Sequence, residues 1–231
     1  MLKDCVHDVI SLFYPRLCFS CNNPLLLHEE CICSECLYHL PQTHFHLMAD
    51  NPVANQFVGK LHINAAASCY YFTKGGKVQH LIHQFKYLGF KKIGLFIGSI
   101  YGEKLIQSPL FKDINFIIPI PLHPKKEALR GYNQAEWFAR GLAITMKAKV
   151  DTTSLVRTTA SETQTHKARF SRWENVKEIF DLKDNTALAG QHVLLVDDVI
   201  TTGSTIEAAG QVLMSIPNIK ISICSIACAL H

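Results

Sequence analysis

The sequence has no run of 18 uninterrupted apolar residues, so nothing in it reads as a membrane-spanning helix. It also lacks a strong charge of either sign. Lys and Arg number 23 against 19 Asp and Glu, a formal +4 at pH 7, too mild to argue for nucleic acid from charge alone. A secretory leader is not expected, because Met1 to Phe13 carries Asp4 and Asp8 and its apolar run is too short. Disorder is excluded by an apolar content of 48% and a positive mean hydropathy. With 231 residues the chain fits one full-sized domain plus a small appendage.

Cysteine, in contrast, is plentiful. Nine are present, an odd number, and four form two Cys-x-x-Cys pairs, Cys18 with Cys21 and Cys33 with Cys36. Paired knuckles of this kind place four thiolates tetrahedrally around one structural Zn²⁺ and leave no open position for water. Such a site would lower the formal charge to about +2. Cys31, two residues before Cys33, competes with it as the third ligand. Metal-type spacing points to a reducing compartment rather than to disulfides, so a cytoplasmic protein is expected. Cys69, Cys224 and Cys228 sit in apolar, strand-like runs and read as buried thiols.

The stretch that organises the chain runs from Val193 to Gly210. Val193 to Val196 reads as a strand buried on both faces. Asp197 and Asp198 follow, then a polar turn, and Ser204 or Thr205 starts a helix with Ile206, Ala209 and Leu213 at helical spacing. The first N–H groups of a helix lack partners and carry partial positive charge, which favours an anion there. Thr201, Thr202, Ser204 and Thr205 add hydroxyl donors, and Gly203 lets the backbone approach a phosphate. Two carboxylates would repel that phosphate; they suit sugar hydroxyls or a hydrated Mg²⁺ beside it. A sugar phosphate satisfies all these groups at once.

Elsewhere the periodicity outlines alternating helices and strands. Val6, Val9, Ile10 and Phe13 predict a helix ended by Pro15, and Pro41 to Leu61 reads as a linker or covering loop. Ala65 to Phe72 predicts a strand. A helix carrying Val78, Leu81, Ile82 and Phe85 follows, with Gly89 as its stop, and a second runs from about Lys91 to Ile106 with Ile93, Phe96, Ile97 and Ile100 on one face. Phe116 to Pro121 predicts a strand leading to a loop with Lys125, Lys126 and Arg130, after which Asn133 caps a helix containing Trp137, Phe138 and Leu142. Thr152 to Val156 predicts a strand. Thr158 to Asn175 is polar without apolar spacing and reads as a mobile hood over a ligand, and Lys220 to Ala229 predicts a closing strand. The pattern divides the chain into residues 1–60, with the helix, cysteine module and linker, and residues 61–231, an α/β domain with a mostly parallel sheet flanked by helices.

The Asp-Asp and Thr-Thr-Gly-Ser-Thr stretch resembles the phosphoribosyl pyrophosphate (PRPP) signature of type I phosphoribosyltransferases. Four further stretches resemble the ComF family of competence proteins. They are the cysteine quartet; Phe85-Lys86-Tyr87 with Gly89; Ile118 to Leu122 continuing to Arg130-Gly131-Tyr132-Asn133-Gln134; and Arg157, Gln164, Arg172, Asn175 and Phe180. The resemblance implies a type I phosphoribosyltransferase-like fold with an amino-terminal zinc module. It implies that Asp197 and Asp198 hold the ribose hydroxyls and that Thr201, Thr202, Gly203, Ser204 and Thr205 cradle the 5′-phosphate of PRPP, with Mg²⁺ as its companion. Lys86, Arg130 and Arg172 are the candidates for its pyrophosphate. It further implies a cytoplasmic role in natural transformation, with incoming single-stranded DNA and DNA-uptake proteins as partners. Two functions stay open at this point. In one the protein binds PRPP and serves DNA uptake, with Tyr132, Trp137 and the basic loop offering stacking and charge. In the other it is an active transferase for a small nucleobase-like acceptor, unrelated to DNA.

Overall fold

The computed structural model describes residues 14–158 and 179–229. The expected helix over Val6 to Phe13, the pyrophosphate candidate Arg172 and all of the expected hood beyond Thr158 lie outside the described residues. The strands are β1 (Ala65–Tyr71), β2 (Phe116–Pro119), β3 (Lys149–Val150), β4 (Leu155–Arg157), β5 (Phe180–Leu182), β6 (His192–Ile200) and β7 (Lys220–Cys228). The helices are α1 (Ser34–His39), α2 (Pro52–Asn55), α3 (Lys77–Tyr87), α4 (Lys92–Gln107), α5 (Pro124–Arg130), α6 (Gln134–Met146) and α7 (Ser204–Leu213).

Five strands pair in parallel in the order β1–β7–β6–β2–β3, and β4 and β5 form a separate antiparallel ribbon. The fold is thus the expected α/β class with a mostly parallel sheet. From the β2–β6 boundary the connections diverge: β2 leads through α6 outward to β3, and β6 leads through α7 the other way to β7. Right-handed crossovers then put α6 and α7 on opposite faces of the sheet. A crevice opens at the carboxyl ends of β2 and β6, where strand order reverses and where open α/β sheets receive ligands.

Local rules account for most element boundaries. The Asn133 side chain caps α6 by accepting from Ala135 N at 3.0 Å, and its amide donates to Ile120 O at 3.0 Å, tying the helix start to the end of β2. Pro119 is the last residue of β2, beyond the pairing of β3 with Phe116 and Ile117, so its missing N–H breaks no ladder bond. Gly89, with φ of 75°, follows α3 as expected.

Four expectations are corrected. First, β6 runs on to Ile200 along β7, so Asp197 and Asp198 lie within the strand rather than after it; only β2 stops level with Val196. Second, Lys220 to Cys228 forms the expected last strand, β7, but it lies inside the sheet and its burial does not alternate. It pairs with β1 on one side and β6 on the other and is buried from Ile221 to Cys228. Third, only Leu155 and Val156 of the Thr152 to Val156 stretch lie in a strand, β4, because the Asp151 side chain accepts from Thr153 N at 2.8 Å and Ser154 N at 3.0 Å and bends the chain before it. Fourth, Ile93 and Ile97 of α4 are buried, but Phe96 and Ile100 are only half-buried, because the tight face of the helix is made by glycines. A Cβ at Gly98 would lie 2.5 Å from Phe138 O and 2.8 Å from Gly141 Cα, so α4 and α6 touch backbone to backbone.

The stretch left open as linker or covering loop is a cover. Tyr71 N donates to Pro41 O at 2.8 Å and Thr43 N to Cys69 O at 3.2 Å, which shields the outer edge of β1. Buried Asn51 caps α2 and donates to Ala66 O at 2.8 Å. Phe45, Val53, Phe57 and Leu61 join the same buried cluster as the sheet residues. No helix among the described residues is long and apolar enough to cross a membrane.

Candidate functional site

Neighbouring residues of a strand face opposite sides of a sheet, so Asp197 and Asp198 diverge around the crevice. On one side Lys86 Nζ, near the end of α3, pairs with Asp198 Oδ1 at 2.9 Å. The helix is held there by buried Tyr132, whose hydroxyl donates to Phe85 O. Arg157 of β4 and Asp197 each influence the ionisation of the other. Asp197 Oδ1 also accepts from Asp198 N at 2.8 Å. Burial, followed by the charge of Asp198, pushes the Asp197 carboxyl up to about 7, against weaker opposite pulls from that N–H, Lys86 and Arg157.

Past the acids the chain turns into α7. Gly203 has φ of 74°, a conformation that costs glycine little, and no side chain caps the helix. The helix start therefore faces the recess with its N–H groups open to an anion. Thr201, Thr202, Ser204 and Thr205 line that recess together with Asp197, and the Thr202 and Ser204 hydroxyls lie 3.1 Å apart. Behind the turn, the Phe57 ring and the Gln56 side chain fill the space a Cβ on Gly203 would need, with the nearest ring carbon at 3.0 Å. The cover of β1 thus also backs the phosphate-type turn, a contact no local pattern announces.

The expected residues are not all alike in place. The acid pair and the turn come together. Arg130 is half-buried, donates to Gln134 Oε1 at 2.9 Å and lies over the Tyr87 ring at 5.5 Å. Lys125 and Lys126 are exposed on α5, which buries none of its side chains. Tyr132 and Trp137 are not the stacking surface: Tyr132 is buried, and the two rings hold Lys91 between them at 5.4 and 5.2 Å. Tyr87, under Arg130, is an exposed aromatic ring at the basic helix, while Phe90 packs on Phe19 of the cysteine module at 4.4 Å. Sequence reasoning gave Arg157 no role. Its position depends on pairing with Phe180 across 22 intervening residues, which no local signal carries.

The sulfur atoms of Cys18, Cys21, Cys33 and Cys36 lie within 4.8 Å of one another, and those of Cys21 and Cys33 are 3.8 Å apart. A tetrahedron of metal–sulfur bonds about 2.3 Å long has edges of about 3.8 Å, so the quartet fits one metal ion. Backbone N–H groups of Ser20 and Cys33 point at Cys18 Sγ at 3.4 and 3.3 Å, as suits a thiolate. Cys31 is outside the quartet, and burial pushes its thiol up to about 11.

Against known proteins, a family model of the phosphoribosyl transferase domain matches residues 133–230, from the cap of α6 through β7. Competence protein ComFC of Bacillus subtilis is 28% identical over 201 residues, covering 86% of this chain and 78% of its own. These similarities support a ComF-type, phosphoribosyltransferase-like protein. Other relatives are similar over different spans. DNA utilization protein YhgH of Escherichia coli O6:H1 is 27% identical over 218 residues, covering 88% of this chain and 92% of its own length. Competence protein F of Haemophilus influenzae is 34% identical over 98 residues, covering 42% of this chain and 43% of its own. The ComF-type chain therefore joins a phosphoribosyltransferase-like domain to a metal-competent cysteine module.

Proposed function

We propose that the protein binds PRPP with Mg²⁺ at the carboxyl end of β6 and does so in handling incoming single-stranded DNA in the cytoplasm, alongside DNA-uptake proteins. One observation carries the PRPP reading: a carboxylate pair and an uncapped helix start meet at the point where strand order reverses. Asp197 and Asp198 accept from the ribose hydroxyls, and the turn from Thr201 to Thr205 donates to the 5′-phosphate. Carboxylate oxygens beside a phosphate also suit a hydrated Mg²⁺ arriving with PRPP. Zn²⁺ in the cysteine quartet has a structural role, since all four positions are thiols. The DNA role is supported by the names of the relatives and by exposed Tyr87, under Arg130 of the helix that also exposes Lys125 and Lys126, which together offer stacking and charge to a single strand.

Calorimetry with PRPP and Mg²⁺ tests the site. Replacing both acids, Asp197→Asn with Asp198→Asn, removes two charge-assisted acceptors worth about 1.5–3 kcal/mol each. Relief of repulsion with the phosphates and release of Lys86 offset part of this, so the loss is expected near the lower end, roughly a hundredfold. Equal affinity of the two proteins would reduce the motif to scaffold. A transferase acting on a small nucleobase-like acceptor is the second reading, favoured by Val199 and Ile200, which give the same recess an apolar wall. Pyrophosphate release from PRPP on adding free bases, with no response to single-stranded DNA, would select it. Catalysis would then rest on positioning and charge rather than on a protein nucleophile.

A further inference from the structure

A second cleft lies away from the crevice, where Arg16 and Glu30 of the cysteine module meet α4 and α6. It holds about 530 Å³ and shares no lining residue with the recess before α7. Size and place both suit a small molecule, since ligand cavities run from about 300 to 1,000 Å³ and favour the seam between two structural units. We propose that this cleft binds a small amphipathic anion, a molecule with an apolar body and one carboxylate or similar anionic head.

The apolar part of the ligand is read from the wall. Leu95, Phe96 and Ile100 of α4 and Ile144 of α6 line the cleft. The first three are half-buried and Ile144 is 64% exposed, so apolar surface is left for an occupant to cover. Glycines on another face of α4 make the close contact with α6, which leaves these larger side chains to the cleft. The charge of the ligand is read from the rim. Arg16 and Lys92 bring two cations against the single carboxylate of Glu30. Among the described residues the Lys92 ammonium has no hydrogen bond or ion pair. Arg16 Nη2 donates to Leu26 O at 3.0 Å and Leu27 O at 3.3 Å, which fixes the guanidinium and leaves its other donors open. A cation already held in place binds an anion with little further ordering. A simple inorganic anion would leave the wall wet, and a neutral apolar molecule would gain nothing from the cations.

Fluorescence titration of the full chain with two dyes tests this. One is 8-anilinonaphthalene-1-sulfonate, an apolar ring system with one anionic group; the other is N-phenyl-1-naphthylamine, the same rings without the charge. Wild type is expected to bind the sulfonate and to release it when decanoate, an acyl chain with a carboxylate head, is added. Lys92→Glu, at an exposed position, is expected to weaken the sulfonate about 10-fold or more and the amine less than about twofold. Ile144→Ser, also exposed, is expected to weaken both dyes by about threefold. A wild type that binds no sulfonate would overturn the proposal. So would unchanged sulfonate affinity in Lys92→Glu, which puts the dye elsewhere on the molecule. Equal weakening of the two dyes by Lys92→Glu would also overturn it, because the anionic head would then play no part.

Discussion

Asp197 is held at a cost to the fold, and that cost is measurable. Its carboxyl titrates near 7 in the folded chain against an ordinary value of 3.8. The folded state therefore keeps a proton that the unfolded state has already released, and stability falls as pH rises between those values. Below about pH 4 both states are protonated and the penalty vanishes; above about pH 7 it is complete. The whole shift corresponds to about 4 kcal/mol, of which about 2 kcal/mol accrues between pH 5.5 and 7. Asp197→Asn removes the titration while keeping the shape and the acceptor for Asp198 N. The variant is thus expected to be more stable than wild type at pH 8.5, and its advantage to be about 2 kcal/mol larger there than at pH 5.5. Urea unfolding of both proteins at the two pH values measures this, since titrations common to both cancel in the difference. A constant difference, or a variant less stable at pH 8.5, would refute the argument that burial and Asp198 strain this acid. Combined with lost PRPP affinity, the expected result would identify Asp197 as a group retained for binding at the expense of stability.

The cysteine quartet predicts one zinc per chain; Cys33→Ser should lose it and Cys31→Ser retain it, read by metal analysis of protein purified without chelator. Full metal content in Cys33→Ser would instead make Cys31 the ligand. In α4, Gly98→Val should destabilise by at least about 2 kcal/mol despite removing a helix glycine, because the backbone of α6 cannot yield. Thermal unfolding checks it, and a variant as stable as wild type would show that the helices can part cheaply.

Sequence alone determined what depends on neighbours along the chain. The knuckle spacing, the acid pair, the threonine-rich turn, the Asn133 cap and the Gly89 stop are written within a few residues each, because thiolate geometry, capping and helical period act over that range. The same locality left the place of β7 in the sheet unread and made one strand of Thr152 to Val156: the pattern within a strand does not say which strands will flank it, and a side-chain-stabilised bend interrupts an otherwise β-like run. Only the tertiary structure decided the pairing of Lys86 with Asp198, the packing of Phe57 behind Gly203 and the gathering of Cys18, Cys21, Cys33 and Cys36 within 4.8 Å. It also decided that Tyr132 is buried while Tyr87 and Phe90 are exposed. Each of these joins segments far apart in sequence. The contacts exist only because a parallel sheet turns at the β2–β6 boundary and brings its crossover helices to one crevice.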